Sequence, residues 1–304
     1  MAINFTQTAS IFQSMLDKQI LQEATSGWME ANAGQVKYCG GNEVKIPKLS
    51  MQGLGNYSRD EGFAQGSVSL SYGSYTLTQD RGRTFQIDAM DVDESNFAAT
   101  AANLLGEFQR VHVIPEIDSY RYSAIYAAAN AKSFVTTYTP AASDVLSKLQ
   151  ADIFNIYNKL GETPLVITMS MSAYNVLNQS TQLVKYLSVG SFKKGELEDK
   201  IMHFNGNPVV RVSGARMKTA YTVRDGVTAG QEAGGLAAAT GAKDINWIIC
   251  AAGAPLAVSK TDVVRIFDPL TNQRLNAYKI DYRKFHDLWV PDNKADGIWV
   301  NVSA

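Results

Sequence analysis

The chain begins with a helical pattern and then changes to β alternation. Between residues 8 and 31, apolar residues recur every three or four positions, which predicts a short amphipathic helix ending near Gly27. From Val44 the apolar residues alternate with polar ones as far as Ile87, which predicts two long strands of about 15 to 20 residues each. The apolar stripe of the first helix includes Phe12, Met15 and Leu16.

A glycine-rich segment separates the two predicted strands. Residues 52–66 contain four glycines and the charged triplet Arg59, Asp60 and Glu61, a composition that favours a solvated turn. The two strands and this turn therefore predict a protruding hairpin over residues 42–87, about 50 to 65 Å long at 3.3 Å per residue. Because an isolated two-stranded hairpin is marginally stable in water, we expect it to lie on the chain's own body or on a neighbouring subunit.

A second helical pattern follows the hairpin. Apolar residues at helical spacing run from about residue 97 to 128, after an acidic segment that would stabilise the start of a helix. Pro115 disfavours helical geometry at Ile114 and removes one hydrogen bond, so we expect a kink or a break there before the helix continues from Ile117.

The remainder of the chain mixes both periodicities. Patterns predict a helix ending at Gly161, a buried strand over residues 164–169, a helix starting at Ser170, and strands at 209–212 and 245–250. Residues 226–241 are rich in glycine and alanine and favour a long mobile loop. The last third returns to β alternation, at 263–267, 277–290 and 297–302.

Composition excludes several classes of protein. The 304 residues are 45% hydrophobic and carry a formal net charge of −1, which is typical of a folded protein and provides no net field for nucleic acid or an anionic membrane. The longest apolar stretch, 247–258, is too short to span a bilayer. The N-terminal residues lack the features of a secretory signal, so we expect the chain to remain in the cytoplasm, with Cys39 and Cys250 as free thiols.

No catalytic, cofactor or metal site is predicted. The three histidines, at 112, 203 and 286, have no second ligand at metal-binding spacing. The acidic residues at 88, 91, 93 and 94 are better explained by the helix dipole than by calcium, because no glycine supplies the turn of a calcium loop. Cys250 lies in an apolar run, where burial would raise the pKa of its thiol and make it inert.

A group of charged residues points instead to an interface. Arg59, Asp60, Glu61, Arg81 and Arg83 place both signs of charge on a hairpin that needs an external surface, which favours pairing with a neighbouring subunit. We expect them to form an assembly interface together with the apolar residues of the N-terminal helix.

The order of these elements resembles that of the major capsid proteins of tailed bacteriophages with the HK97 fold. Two segments support the resemblance: residues 165–177, which read Leu-Val-Ile-Thr-Met-Ser-Met-Ser-Ala-Tyr-Asn-Val-Leu, and the closing residues 281–301. The resemblance implies an α+β fold with an N-terminal arm (1–41), an extended β-hairpin or E-loop (42–87), a peripheral domain with a spine helix (88–138 and 263–304), and an α/β axial domain (139–262).

The resemblance also implies a function. Copies of the chain would assemble into hexamers and pentamers of an icosahedral head that encloses double-stranded DNA, contacted non-specifically, in a virion assembled in the host cytoplasm. A separate scaffolding protein and a portal are the other implied partners, and no cofactor or membrane is involved. Residues 52–66 contain no lysine, so covalent cross-linking through the hairpin tip is not expected.

Two alternatives stay open at this point. An encapsulin-like compartment shell has the same architecture but encloses a cargo enzyme. A soluble α/β enzyme without a recognisable motif would be compact, and a compact monomer of 33.2 kDa exposes about 12,600 Å². A larger accessible surface favours a shell protein.

Overall fold

The computed structural model describes residues 24–35, 37–38, 42–60, 62–90, 101–180, 187–194, 197–272 and 274–304. Several residues singled out in the sequence lie outside this part of the chain. These are Phe12, Met15 and Leu16 of the predicted arm, Cys39, Glu61, and the acidic residues 91, 93 and 94.

The described residues form fifteen strands and four α-helices. The strands are β1 Lys37–Tyr38, β2 Glu43–Met51, β3 Val68–Thr76, β4 Gln79–Asp88, β5 Val135–Thr137, β6 Leu165–Ser170, β7 Leu187–Lys194, β8 Leu197–Phe204, β9 Asn207–Val212, β10 Tyr221–Val223, β11 Leu236–Ala238, β12 Ile245–Ala251, β13 Leu256–Phe267, β14 Ala277–Trp289 and β15 Ile298–Val302. The α-helices are α1 Ala101–Phe108, α2 Ile114–Ala131, α3 Val145–Leu160 and α4 Met171–Asn178. A 3-10 helix covers Gly27–Gln35, and two shorter ones cover Gly214–Arg216 and Asp292–Gly297.

A seven-stranded sheet forms the larger part of the body, in the order β5-β15-β12-β6-β9-β8-β7. Every residue of β6 and β12 is buried, because α3 and α4 cover this sheet. The predicted strand and helix around Ser170 are confirmed, and the Ser170 hydroxyl caps α4 by accepting from the Ala173 N–H at 3.3 Å. The closing strand β15 pairs antiparallel with β12 and parallel with β5.

A second sheet, in the order β13-β14-β4, packs one face on a long helix. The contact buries apolar residues of both elements, among them Leu105, Ile117, Val264, Ile280 and Tyr282. Because this sheet contains β4, the second strand of the predicted hairpin is really two strands. β3 ends at Thr76, and β4 then pairs with β14 along its whole length.

The long helix runs without interruption from Ala101 to Ala131, roughly 46 Å at 1.5 Å per residue. One turn of this helix, Gln109–Val113, is π-helical and ends two residues before Pro115. The prediction that Ile114 leaves helical geometry is wrong, because its φ and ψ are −61° and −48° and its N–H donates to the Gln109 carbonyl. Proline has no backbone N–H to donate, and the wider π-helical turn accommodates this missing hydrogen bond, so the helix continues past Pro115.

The segment predicted to be a long loop has structure of its own. β10 and β11 form an antiparallel hairpin at residues 221–238, with Gly226, Gly230, Gly234 and Gly235 in the left-handed region between them. Glycine adopts this backbone conformation without the steric cost that other residues meet, which explains the composition of the segment.

Candidate assembly surface

β2 and β3 form an antiparallel ribbon that leaves the body, and the short strand β1 pairs with β2 at its base. Its register runs from Glu43 opposite Thr76 to Met51 opposite Val68, so its paired part is about 30 Å long. This paired length is shorter than the predicted hairpin length of 50 to 65 Å, because β4, which the prediction counted in the second strand of the hairpin, belongs to the second sheet. The ribbon consists of β2, β3 and the connecting residues 52–67.

The base of the ribbon is covered by the chain's own body. Val44, Ile46 and Leu77 are buried against residues of β13 and β14, namely Leu256, Val258 and Phe285. Tyr75 adds an aromatic contact with Trp289, with ring centroids 5.5 Å apart. The base therefore needs no partner.

The distal part of the ribbon carries an apolar face that nothing in the described structure covers. Directly opposite residues of an antiparallel pair lie on one face, and so do residues two apart on a strand. The pairs Leu49–Leu70 and Met51–Val68 are therefore neighbours on the same face. Leu49 is 55% exposed and Met51 is 67% exposed, and the next pair towards the base, Pro47 with Tyr72, is exposed as well.

This apolar face lies on the opposite side of the ribbon from the face that packs at the base. Val44 and Ile46 occupy even positions of β2, whereas Leu49 and Met51 occupy odd positions. Since successive side chains of a strand point to opposite faces, the ribbon changes its apolar side between base and distal part. The surface that covers the base consequently lies on the wrong side to cover the distal face.

The ribbon tip is also apolar and exposed. Leu54 is fully exposed, and the exposed rings of Tyr57 and Phe63 pack at a tilt of 56° with their centroids 4.9 Å apart. A tight turn closes the tip, in which the Ser58 N–H and the Gly62 carbonyl are 3.0 Å apart. Arg59 and Asp60 are exposed on this turn, and no ion pair to either is present among the described residues.

Arg81 and Arg83 lie on β4, apart from Arg59 and Asp60. The Arg81 guanidinium donates to Glu116 of α2 at 2.7 Å and to the Arg224 carbonyl at 2.9 Å. Arg83 donates to the Glu232 carbonyl at 3.0 Å. Of the four described charged residues of the predicted interface, Arg59 and Asp60 thus lie at the exposed tip, and Arg81 and Arg83 fasten the β10–β11 hairpin to the second sheet.

A buried polar cluster, which the sequence analysis did not predict, holds residues 25–30 of the predicted arm against α2. Asp118 of α2 is fully buried and accepts from the Thr25 hydroxyl at 2.7 Å, the Ser26 hydroxyl at 2.6 Å and Arg216 at 3.2 Å. One turn along, Arg121 forms an ion pair with Glu30. Burial raises the pKa of Glu30, but the charges of Arg121 and Lys284 and the hydrogen bonds from Arg121 and Ser259 together outweigh this effect, so the net pKa is lowered.

Cys250 and His112, two of the residues weighed for chemistry, lie in the described part of the chain. Burial raises the pKa of the Cys250 thiol to about 12, as its apolar surroundings predicted. His112 is exposed on the π-helical turn rather than buried in the helix stripe. The described residues contain no group of three histidine, cysteine or acidic side chains placed to hold a metal, and none of their helices combines the length and apolarity of a membrane span.

The accessible surface of the chain is 16986 Å², well above the roughly 12,600 Å² of a compact monomer of this mass. The excess agrees with a ribbon that projects from the body.

Comparison with solved structures identifies the architecture. The chain is similar to the mature capsid of bacteriophage PhiM1 (TM-score 0.59, 13% identity, covering 87% of this chain and 82% of that one). It is equally similar to the capsid of cyanophage P-SCSP1u (TM-score 0.59, 11% identity, 88% and 85%) and also similar to a structure from Mycobacterium phage Che8 (TM-score 0.55, 12% identity, 92% and 89%).

The chain has the α+β, HK97-like capsid fold. The fold expected from the order of elements is therefore confirmed. At the level of sequence alone, no family model and no curated protein matches the chain. The identities of 11–13% explain this, because at that level the fold is retained while the sequence pattern of a family is not.

Proposed function

We propose that this protein is the major capsid protein of a tailed bacteriophage and that its copies assemble into a shell through the ribbon. The observation that carries the proposal is the distal apolar face of the ribbon, which lies on the side away from the chain's own body. A sister copy that covers this face would remove apolar surface from water, at about 25 cal/mol per Å². The HK97-like fold supports the same conclusion.

The geometry favours a ring. A ribbon on one copy that contacts a different surface on the next copy makes a heterologous interface, and such interfaces close into rings or continue as filaments. We infer rings of six and five that tile an icosahedral head around double-stranded DNA. In this account the ribbon is the E-loop, residues 101–131 are the spine helix, and Arg59, Asp60 and Glu61 contact the neighbouring copy together with Phe12, Met15 and Leu16.

The proposed partners follow from this role. The net charge of −1 gives no strong general attraction for DNA, which suits the wall of a container whose packaged DNA is contacted non-specifically. A separate scaffolding protein and a portal would complete the head. The chain would act as a structural protein of the virion and not as an enzyme, and assembly would take place in the host cytoplasm.

Deletion of residues 52–66 tests the proposal. The ribbon tip makes no contact that holds the body together, so the deleted chain should still fold with its circular dichroism unchanged. We expect wild-type particles under the electron microscope and none from the deleted chain. Intact shells formed by the deleted chain would refute assembly through the ribbon, and particles that contain protein cargo in place of DNA would refute the proposed genome container.

A further inference from the structure

The connection between the ribbon and the second sheet is two residues long. β3 ends at Thr76 and β4 begins at Gln79, so Leu77 and Thr78 alone join them. Leu77 closes the ribbon base, because its N–H donates to the Asn42 carbonyl at 2.9 Å and its side chain is buried. Thr78 is held by a different element, the end of β14.

Asp287 of β14 receives four hydrogen bonds at this junction. One carboxylate oxygen accepts from the Thr78 N–H at 2.8 Å and from the Thr78 hydroxyl at 2.9 Å. The other oxygen accepts from the Tyr120 hydroxyl of α2 at 2.5 Å and from the Leu288 N–H at 2.8 Å. Asp287 is 2% exposed, so it joins the ribbon, the long helix and the second sheet in a region sheltered from water.

We propose that Asp287 is a positioning residue that sets the direction in which the ribbon leaves the body. The side chains that cover the ribbon base, Val44, Ile46 and Leu77 against β13 and β14, make apolar contacts, and such contacts are not directional. Hydrogen bonds weaken steeply when the angle at the donor departs from linearity, so the four bonds of Asp287 fix Thr78 relative to α2 and β14. The consequence for the curvature of a shell rests on the proposed function, but the direction of the ribbon is a property of the single subunit.

The chemistry of this junction makes Asp287→Asn a sharp test. Each carboxylate oxygen faces one backbone N–H, and a backbone N–H can only donate. The new amide has one oxygen and one NH2 group, so it can accept from Thr78 or from Leu288 but not from both. The substitution keeps the size of the side chain and still removes at least one bond.

Distances between spin labels measure the direction of the ribbon directly. One label is placed at the tip through Asn56→Cys and one on the exposed face of α3 through Lys148→Cys, in a Cys39→Ser background in which buried Cys250 stays unlabelled. Labelled protein is diluted with an excess of unlabelled protein, so that double electron–electron resonance (DEER) reports only distances within one subunit. Melting temperature is recorded for each variant.

We expect Asp287→Asn to broaden and shift the distance distribution relative to wild type. The double variant Thr78→Val/Tyr120→Phe removes both hydroxyl donors, should act in the same direction, and decides the matter if Asp287→Asn does not fold. Thr84→Val is the matched control. The Thr84 hydroxyl of β4 donates to Asp281 at 2.8 Å, and Asp281 lies on β14 like Asp287 but away from the junction. The distance distribution of Thr84→Val should coincide with that of wild type.

An unchanged distribution in both Asp287→Asn and the double variant would overturn the assignment of Asp287. So would a change in Thr84→Val as large as that in the other two. Particle formation is scored separately: a wild type that forms no shells would refute the proposed function and leave the distances, and hence the role of Asp287, to be judged on their own.

Discussion

The seven-stranded sheet and the ribbon are both built from strands with strong β propensity, yet they differ in what covers them. In β6 and β12 every side chain is buried, because helices pack on the sheet within the same chain. In β3 most side chains are exposed, including Val68, Leu70 and Tyr72. An alternating strand therefore gives no indication by itself of whether its apolar side chains are buried in its own subunit.

The face change along the ribbon makes this comparison informative. A ribbon with one continuous apolar face could bend back onto its own body. Here Val44 and Ile46 pack on the body from one side, and Leu49 and Leu70 lie on the other. The described part of the subunit therefore leaves an apolar surface of the ribbon that only another surface could cover.

The largest contrast should come from truncating one apolar residue in each region. Ile249 is fully buried in β12, and Ile249→Ala should lower the free energy of unfolding by about 2 to 5 kcal/mol through lost burial and a cavity. Leu70→Ala on the ribbon should change it by less than about 0.5 kcal/mol in the isolated subunit. Denaturant unfolding of dissociated subunits measures both values, and similar losses in the two variants would contradict the difference between the regions.

A smaller effect, confined to the buried sheet and absent from the exposed ribbon, is expected in the pH dependence of the free energy of unfolding. Asp152 is 4% exposed beneath the sheet, and burial raises its pKa even though it accepts from Trp247 at 2.9 Å and from Asn301 at 3.0 Å. The folded state therefore keeps a proton that the unfolded chain, with a pKa of about 3.9, has already lost. The free energy of unfolding must fall as the pH rises from about 4 through the raised folded value.

Asp152→Asn should remove this part of the pH dependence. The stability of the variant relative to wild type is expected to rise with pH across that window and then to level off. Denaturant unfolding of both proteins at pH values between about 4 and 7 measures this difference in the free energy of unfolding. A difference that stays flat over the whole range would mean that Asp152 is not held protonated by burial.

The elements that sequence patterns predicted well are those with local signals. Ser170 caps α4, and Gly161 ends α3 with φ at 75°, so both boundaries could be placed from residue type alone. The division of the hairpin at Leu77 and Thr78 could not be placed in this way. Phe85 and Ile87 alternate equally well in the ribbon and in the second sheet, and the pairing with β14 is decided by tertiary contacts.

Polar residues were harder to place than apolar ones. Arg81 and Arg83 were assigned to an interface because they add charge to a hairpin that needs an external surface, and in the single subunit carbonyl groups of the β10–β11 hairpin accept from them. Asp118 and Arg121 did carry a signal. They occupy positions within the helical spacing of Ile114, Ile117 and Ile125, where a polar residue must find partners if the stripe is buried.

The central claim, that a sister copy covers the distal apolar face of the ribbon, is tested most directly by cysteine labelling before and after assembly. Leu70→Cys places a thiol on that face and Ser71→Cys places one on the opposite face of the same strand, both in the Cys39→Ser background. Our account predicts that both thiols react rapidly in dissociated subunits and that assembly slows the reaction at position 70 far more than at position 71. Equal reaction rates at position 70 in subunits and in intact particles would contradict it.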